Sequence, residues 1–199
     1  MSGKKTILVT YAVKEEFFPV KADGFDIQYL YTGVGKTKSA CKLTKVICAG
    51  KPDFVLNVGT AGTQKHKVGD IFVSTAFIDR DYEAMNLPGL AWEINGMELL
   101  QKELPLRDWV KQYPKTGICS TGDSFITEAT AITGDVIDME AYAQAFVCRE
   151  FMIPFLSVKY ITDIIGQNSV EQWKDKLPDA CSDLTNWFEQ YGVISLINV

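Results

Sequence analysis

The sequence predicts an α/β fold built on a mixed β-sheet, and three observations carry that prediction. Short apolar runs of strand length alternate with segments of helical periodicity. Several of those runs end in Gly, Ser, Thr or Asp, the residues of tight turns. The stretch 135–166 shows both patterns in succession, helix and then strand, with acidic residues near its ends. Ala141, Tyr142, Ala145, Phe146, Cys148 and Phe151 recur at helical spacing. Pro154 stops that helix, because proline lacks an amide donor and restricts the residue before it. PFLSVKYI follows as a buried strand rich in β-formers. Glu140 therefore falls at a helix N-terminus, and Asp163 just past the C-terminal end of a strand. Open α/β sheets build ligand crevices at such places.

The remaining elements follow in order. Thr6–Val13 reads as a central strand, directly followed by Glu15 and Glu16. Phe25–Tyr31 alternates and reads as a second strand, leading into Gly33-Val34-Gly35-Lys36. Thr37–Ala49 has Ala40, Leu43, Val46 and Ile47 on one helical face, and Gly50-Lys51-Pro52 closes it. Asp53–Val58 is a buried strand that opens into Gly59-Thr60-Ala61-Gly62. Ile71–Ile78 is another strand. Residues 79–98, polar and aromatic with Pro88 and Gly89, read as a long loop, and loops of that length are usually functional. Met97–Leu104 reads as a short helix. Thr116–Ser120 is a strand ending in Thr121-Gly122-Asp123-Ser124-Phe125-Ile126. Leu177–Ile197 closes the chain as an amphipathic helix with Cys181, Leu184, Trp187, Phe188 and Tyr191 inward. There is no repeat, low-complexity segment or linker, so a single domain over 1–199 is expected.

Composition excludes some functions. The apolar share of 47% and the charged share of 23% are those of an ordinary globular chain. A net charge of −5 argues against nucleic acid, which needs a basic face. Lys36, Lys38, Lys42 and Lys45 read as a solvated helix face. The five cysteines form no CxxC pair and lie in apolar segments, as buried reduced thiols of a cytoplasmic protein would. One histidine makes a zinc site improbable. No apolar run spans a membrane, and the N-terminal run is too short and too soon charged for a signal peptide. No G-x-G-x-x-G follows the first strand and no Walker lysine loop exists, so dinucleotide and nucleoside-triphosphate sites are not expected.

Four strand ends carry small or acidic residues: Ala12 to Glu16, Gly59 to Gly62, Thr121 to Ile126, and Thr162-Asp163. If they converge, glycines admit a ligand close to the backbone and carboxylates supply acid and base. Taken singly, Glu16 and Glu140 read equally well as charges favouring helix N-termini. Asp163 reads as a cap, Phe125 and Met139 as core, and Trp173 either as a ring closing over the ligand or, more often for an aromatic there, as core.

Six short motifs in order change that balance. They are TGVGK (Thr32–Lys36), NVGTAG (Asn57–Gly62), VGDIFVS (Val68–Ser74), STGDSFI (Ser120–Ile126), DMEA (Asp138–Ala141) and Thr162-Asp163. Together they resemble the nucleoside phosphorylase superfamily, and within it the 5′-methylthioadenosine/S-adenosylhomocysteine nucleosidases. The resemblance runs from about Ile7 to Asp163. It implies a three-layer αβα fold around a mixed sheet. It also implies cleavage of a purine–ribose bond without metal or organic cofactor, and a homodimer in which residues 79–92 complete the partner's site. Glu16 is then the base on water and Asp163 the acid on the leaving purine. Glu140, Asp138 and Met139 hold the ribose, Phe125 and Ile126 the base, and Ala12, Val34, Thr60, Ala61, Gly62 and Thr162 border the nucleoside.

Phosphorylases of this superfamily hold phosphate with arginines, one of them just before the glycine-rich turn. Asn57 stands there, which favours water as nucleophile. Rival readings are a futalosine hydrolase, a phosphorylase, and a non-catalytic nucleoside-binding protein. The chain departs from the family pattern in a short 127–137 stretch, Tyr142 in place of a small residue, Thr63 in place of glycine, and Lys159 where arginine is common.

Overall fold

The computed structural model describes residues 4–16, 19–20, 22–128 and 132–197. Eight strands form one mixed sheet: β1 (Lys5–Tyr11), β2 (Phe25–Tyr31), β3 (Phe54–Thr63), β4 (Ile71–Asp79), β5 (Glu93–Asn95), β6 (Thr116–Thr121), β7 (Val136–Asp138) and β8 (Phe155–Ile164). β1 lies between β2 and β3, parallel to both. β8 is parallel to β3 and antiparallel to β4. β4 pairs β6, β6 pairs β7, and β7 returns to β3, so these pairings close a ring of strands. β3 can serve three neighbours because β1 pairs its first half, Phe54–Asn57, and β7 its last two residues, Gly62 and Thr63, while β8 pairs along most of its length. The β3–β8 register shifts between Ala61 and Gly62, where Thr162 of β8 is the extra, bulged residue.

Strands β3 and β8 are buried almost throughout. Both faces are covered, which explains their near-continuous apolar runs. On one face Leu8, Val55, Phe155 and Ile161 pack against Leu43 and Ile47 of α1 (Lys36–Ala49) and Ala145 and Cys148 of α5 (Ala141–Glu150). On the other, Phe54, Leu56, Val58 and Val158 pack against Leu106 and Val110 of α4 (Leu104–Gln112). Ala180, Leu184 and Trp187 of α6 (Ser169–Tyr191) complete that second layer. The Trp187 indole donates to Tyr113 Oη at 2.9 Å and Tyr113 Oη donates to the Ile71 carbonyl, tying α6 to α4 and β4.

A polar chain runs through the first layer. Ser157 donates to Asn57 Oδ1, Asn57 Nδ2 to Thr10, Thr10 to Gln144 Oε1, and Gln144 Nε2 to Ser39. It joins β8, β3, β1, α5 and α1, and satisfied buried polar groups of this kind fix one mutual register.

The structure corrects several expectations. Residues 79–98 are not one loop. Asp79 caps α2 (Arg80–Met85) through the Asp81 and Tyr82 amides, and β5 pairs antiparallel with β4. The expected helix at Met97–Leu104 is instead α3 (Gly96–Leu99) and the separate α4, which also takes up Arg107. Strand β1 stops at Tyr11, and β3 runs straight through Gly59–Gly62 to Thr63. The last helix begins at Ser169 and ends at Tyr191, where Gly192 adopts φ 57. Phe146, Cys41 and Cys48 are exposed, because each lies on the solvent side of its helix, whereas Tyr191 packs its ring on Trp109, Tyr113 and Trp187 while part of it stays exposed. Among the described residues no helix is long and apolar enough to cross a membrane.

Phe54 has no solvent exposure and sits mid-sheet. Phe54→Ala should cost about 3–5 kcal/mol in denaturant unfolding, since the closed ring of strands limits collapse into the void; a loss under about 1 kcal/mol would mean that the sheet relaxes freely.

Candidate active site

The ends of β1, β3 and β8 meet β7 and the segment after β6 around one cleft. Ala12, Val34, Thr60, Ala61, Gly62, Phe125, Ile126, Asp138, Met139, Glu140 and Thr162 all line it, together with Glu16 and Asp163. Every residue singled out from the sequence is therefore brought to the same hollow. The cleft holds a cavity of about 150 Å³ and is open to solvent at its mouth. Residues 129–131 of the short 127–137 connection lie outside the described residues.

Glu16 ends a 3-10 turn (Lys14–Glu16) after β1 and is buried. Its Oε1 accepts from the Thr60 amide at 2.8 Å and the Thr60 hydroxyl at 2.7 Å. Its Oε2 accepts from the Ala12 and Val13 amides, both at 3.2 Å. A Cβ on Gly59 would stand 3.2 Å from Glu16 Oε1, so the glycine makes room for the carboxylate.

Asp163 lies inside β8 rather than past its end, because β8 continues to Ile164 alongside β3. A Cβ on Gly62 would sit 2.8 Å from Asp163 Oδ2, closer than real contacts allow. Thr162 donates to Asp163 Oδ1 at 2.9 Å. Burial raises the Asp163 pKa above the usual carboxylate value, and hydrogen bonds from Thr162 and Ser169 only partly offset that.

Glu140 is the residue before α5 and accepts the Gly35 amide at 2.9 Å. The adjoining Lys36 amide donates to Asp123 Oδ1 at 2.7 Å. Carboxylates from distant segments thus satisfy the free amides at the start of α1. Lys36 is not a solvated residue: its ammonium lies 2.7 Å from both Asp79 and Asp81.

Lys159 is the one cation under the cleft among the described residues lying there. It is 2% exposed and contacts Asp138 Oδ2 at 2.8 Å. Asp138 also accepts from Thr121 Oγ1 at 2.5 Å and the Ala141 amide at 2.8 Å. Burial works to raise the Asp138 pKa, but the Lys159 charge and these hydrogen bonds hold it below normal. Burial likewise works against the Lys159 charge, and Asp138 restores it. The Asp138 carboxylate is thus consumed in positioning α5 and β8. Glu140 is left without a cation of its own, and burial followed by the Asp138 charge pushes its pKa up to about 8.

Residues 9–191 match the profile of the phosphorylase superfamily. The chain belongs to that superfamily. Within it the chain is 35% identical over 164 residues to the 5′-methylthioadenosine/S-adenosylhomocysteine nucleosidase of Haemophilus influenzae (strain PittEE), a match covering 73% of this chain and 72% of that one. It is 32% identical over 175 residues to the nucleosidase of the same name from Bacillus subtilis (strain 168), covering 77% and 75%. It belongs with these nucleosidases by sequence. In fold it is similar to the Helicobacter pylori nucleosidase solved with butyl-thio-DADMe-Immucillin-A, at TM-score 0.78 and 19% identity over 96% of this chain and 98% of that one. It is also similar to the futalosine hydrolase of Helicobacter pylori, at TM-score 0.77 and 19% identity over 94% and 96%.

Sequence reasoning missed Val13, Ser124, Ile137 and Ile165, which also line the cleft of this superfamily member. They are ordinary apolar or small neighbours of motif residues and carry no separate signal. Of the two readings of Trp173, the core one gives way: the indole lines the cleft and donates to Thr60 Oγ1 at 3.1 Å.

The raised Glu140 pKa has a consequence for stability. Between its ordinary 4.5 and about 8 the native state holds a proton that the unfolded chain has released. The group's contribution is whole below pH 4.5 and is lost as pH rises through about 8. Unfolding of the ligand-free protein should show a fall on the order of a few kcal/mol across that window. Glu140→Gln should flatten it, and parallel curves for the two proteins would refute the assignment.

Proposed function

We propose that the chain hydrolyses the N-glycosidic bond of an adenine nucleoside of the methylthioadenosine class, releasing the free base. The observation that carries this reading is the cleft's charge. It gathers Glu16, Glu140 and Asp163, while among the described residues lining it there is no lysine or arginine. A phosphate dianion would find no cation lining the cleft to pair with, whereas water needs none. Arg80 supports this by its engagement elsewhere, on the carbonyls of Ser120 and Ser124.

In the mechanism, Asp163 stays protonated in its buried site and gives that proton to N7 of the purine. The bond from N9 to the anomeric carbon breaks, its electron pair passing to the base, through an oxocarbenium-like transition state. Glu16 takes a proton from water as the water oxygen bonds to the anomeric carbon. Glu140, once ionised, accepts the ribose hydroxyls, and those bonds tighten as the ring flattens. Phe125 and Ile126 border the base and Met139 the ribose. None of these steps asks for a metal or an organic cofactor.

The methylthioadenosine class rests on the sequence relatives, because fold similarity is the same for the two hydrolases, 0.78 and 0.77. We further read the active species as a homodimer. Tyr82 and Met85 are exposed on α2 and Leu87 just after it, all within residues 79–92, and Phe146 is exposed on α5. Apolar side chains grouped in this way favour a partner surface.

The test is adenine release from 5′-methylthioadenosine in phosphate-free buffer. Turnover without phosphate is expected, and Asp163→Asn should lower it by about 10²–10⁴-fold while nucleoside binding persists. Release only on adding phosphate, or binding without turnover that Asp163→Asn leaves unchanged, would overturn the proposal.

A further inference from the structure

Trp173 stands on the first turns of α6, and its indole faces the cleft with Phe125 edge-on at 6.4 Å between ring centroids. Its Nε1 donates to Thr60 Oγ1 at 3.1 Å, and Thr60 Oγ1 reaches Glu16 Oε1 at 2.7 Å. The chemistry of the end groups sets the direction of this chain. An indole N–H can only donate and an ionised carboxylate can only accept. The Thr60 hydroxyl between them accepts from one and must donate to the other.

We propose that Trp173 is a positioning residue for the hydrolysis, acting on the base Glu16 through the Thr60 hydroxyl. The inference rests on the nucleosidase reading and adds to it a part of α6 outside the matching motifs. A hydroxyl proton rotates to suit its surroundings. Here the indole occupies one lone pair of Oγ1, so the proton points at Glu16 Oε1. The backbone supports the same arrangement, since the Thr60 amide also donates to Oε1. Oε1 is thus held by two short bonds, at 2.7 and 2.8 Å, and Oε2 by two long ones at 3.2 Å. Oε2 is the oxygen left loosely held, and it takes the proton of the attacking water. A base aimed in this way needs no reorientation at the moment of attack.

α6 braces the same turn at a second point. Cys181 lies two helical turns beyond Trp173 on the same stripe, with Leu177 between, and its Sγ donates to the Glu15 carbonyl. The helix therefore holds both the residue before the base and the hydroxyl that orients it.

A double-mutant cycle separates this role from packing. Trp173→Phe keeps an aromatic ring against Phe125 and removes the donor, and the Thr60→Ala background accounts for the smaller ring. It should lower kcat for adenine release about fivefold, the worth of one ordinary hydrogen bond, with KM within about twofold. In a Thr60→Ala background the same change should alter kcat by less than about twofold, because the link is already cut. Thr60→Ser, which retains the hydroxyl, should keep the sensitivity to Trp173→Phe that Thr60→Ala abolishes. An equal loss in both backgrounds, or a rise in KM alone, would overturn the proposal. Failure of the wild-type protein to turn over nucleoside would instead refute the nucleosidase reading.

A spectroscopic measurement stands apart from activity and from the folding of the Trp173 variant. The chain has four tryptophans, and their indole N–H groups resolve in a ¹⁵N-labelled sample. Thr60→Val should shift one of these signals and remove its exchange protection. Four unmoved signals would show that the indole does not depend on Thr60, and the proposal would fall.

Discussion

One buried ammonium has to serve a crowd of acids. Asp138 and Glu140 lie two residues apart, Glu16 faces them across the cleft, and Lys159 is within reach of one carboxylate only. A lysine is a point charge, unlike the fork of an arginine, and cannot grip two carboxylates side by side. It neutralises Asp138. Burial then sends Glu140 the other way, towards the protonated form. Removing one member of such a buried pair is costly, because the other charge is stranded. The pair thus fixes where β8, β7 and the start of α5 meet, and at the same time sets which acids in the cleft carry protons.

The sheet makes that crowding possible. β3 and β8 run parallel and side by side, which sets Gly62 beside Asp163, and the turn after β1 brings Glu16 over Gly59. Any side chain at Gly62 would collide with Asp163, and one at Gly59 would press on Glu16. The bulge lies in β8, at Thr162 directly before Asp163, and the last residues of β3 pair with β7, which carries Asp138 into the same space. The buried chain from Ser157 to Ser39 locks the strands beneath. Acid, base and ribose acceptor are therefore held by strands and helix ends rather than by free loops, the arrangement that keeps reacting groups in place.

Much of this was legible in the sequence because its cause is local. Apolar runs marked β3, β4, β6 and β8, the glycine and proline after Ala49 marked the end of α1, and small residues at strand ends marked the cleft. The helix α2 and strand β5 were hidden because both are short and polar, with Pro88 and Gly89 between them suggesting a loop. The first two turns of α6 were hidden for a related reason: between Ser169 and Lys176 only Val170 and Trp173 break a polar stretch, too few for a stripe. Asp163 was misplaced by a residue or so because threonine and aspartate normally end strands, whereas pairing with β3 carries β8 further. The buried pair of Lys159 with Asp138 was not legible, because nothing in PFLSVKYI says that its lysine is paired or that Asp138 is the partner. The indole–hydroxyl–carboxylate chain is likewise tertiary, joining residues more than a hundred positions apart.

The division of protons among these acids is open to direct observation. With side-chain carboxyl carbons of glutamate labelled by ¹³C, a pH titration of the ligand-free protein reads each group by its own shift. The account predicts one glutamate titrating near about 8 and absent from Glu140→Gln. If every glutamate titrates within the ordinary range, about 4–5, then Lys159 neutralises more than Asp138 and the electrostatic basis described here is wrong.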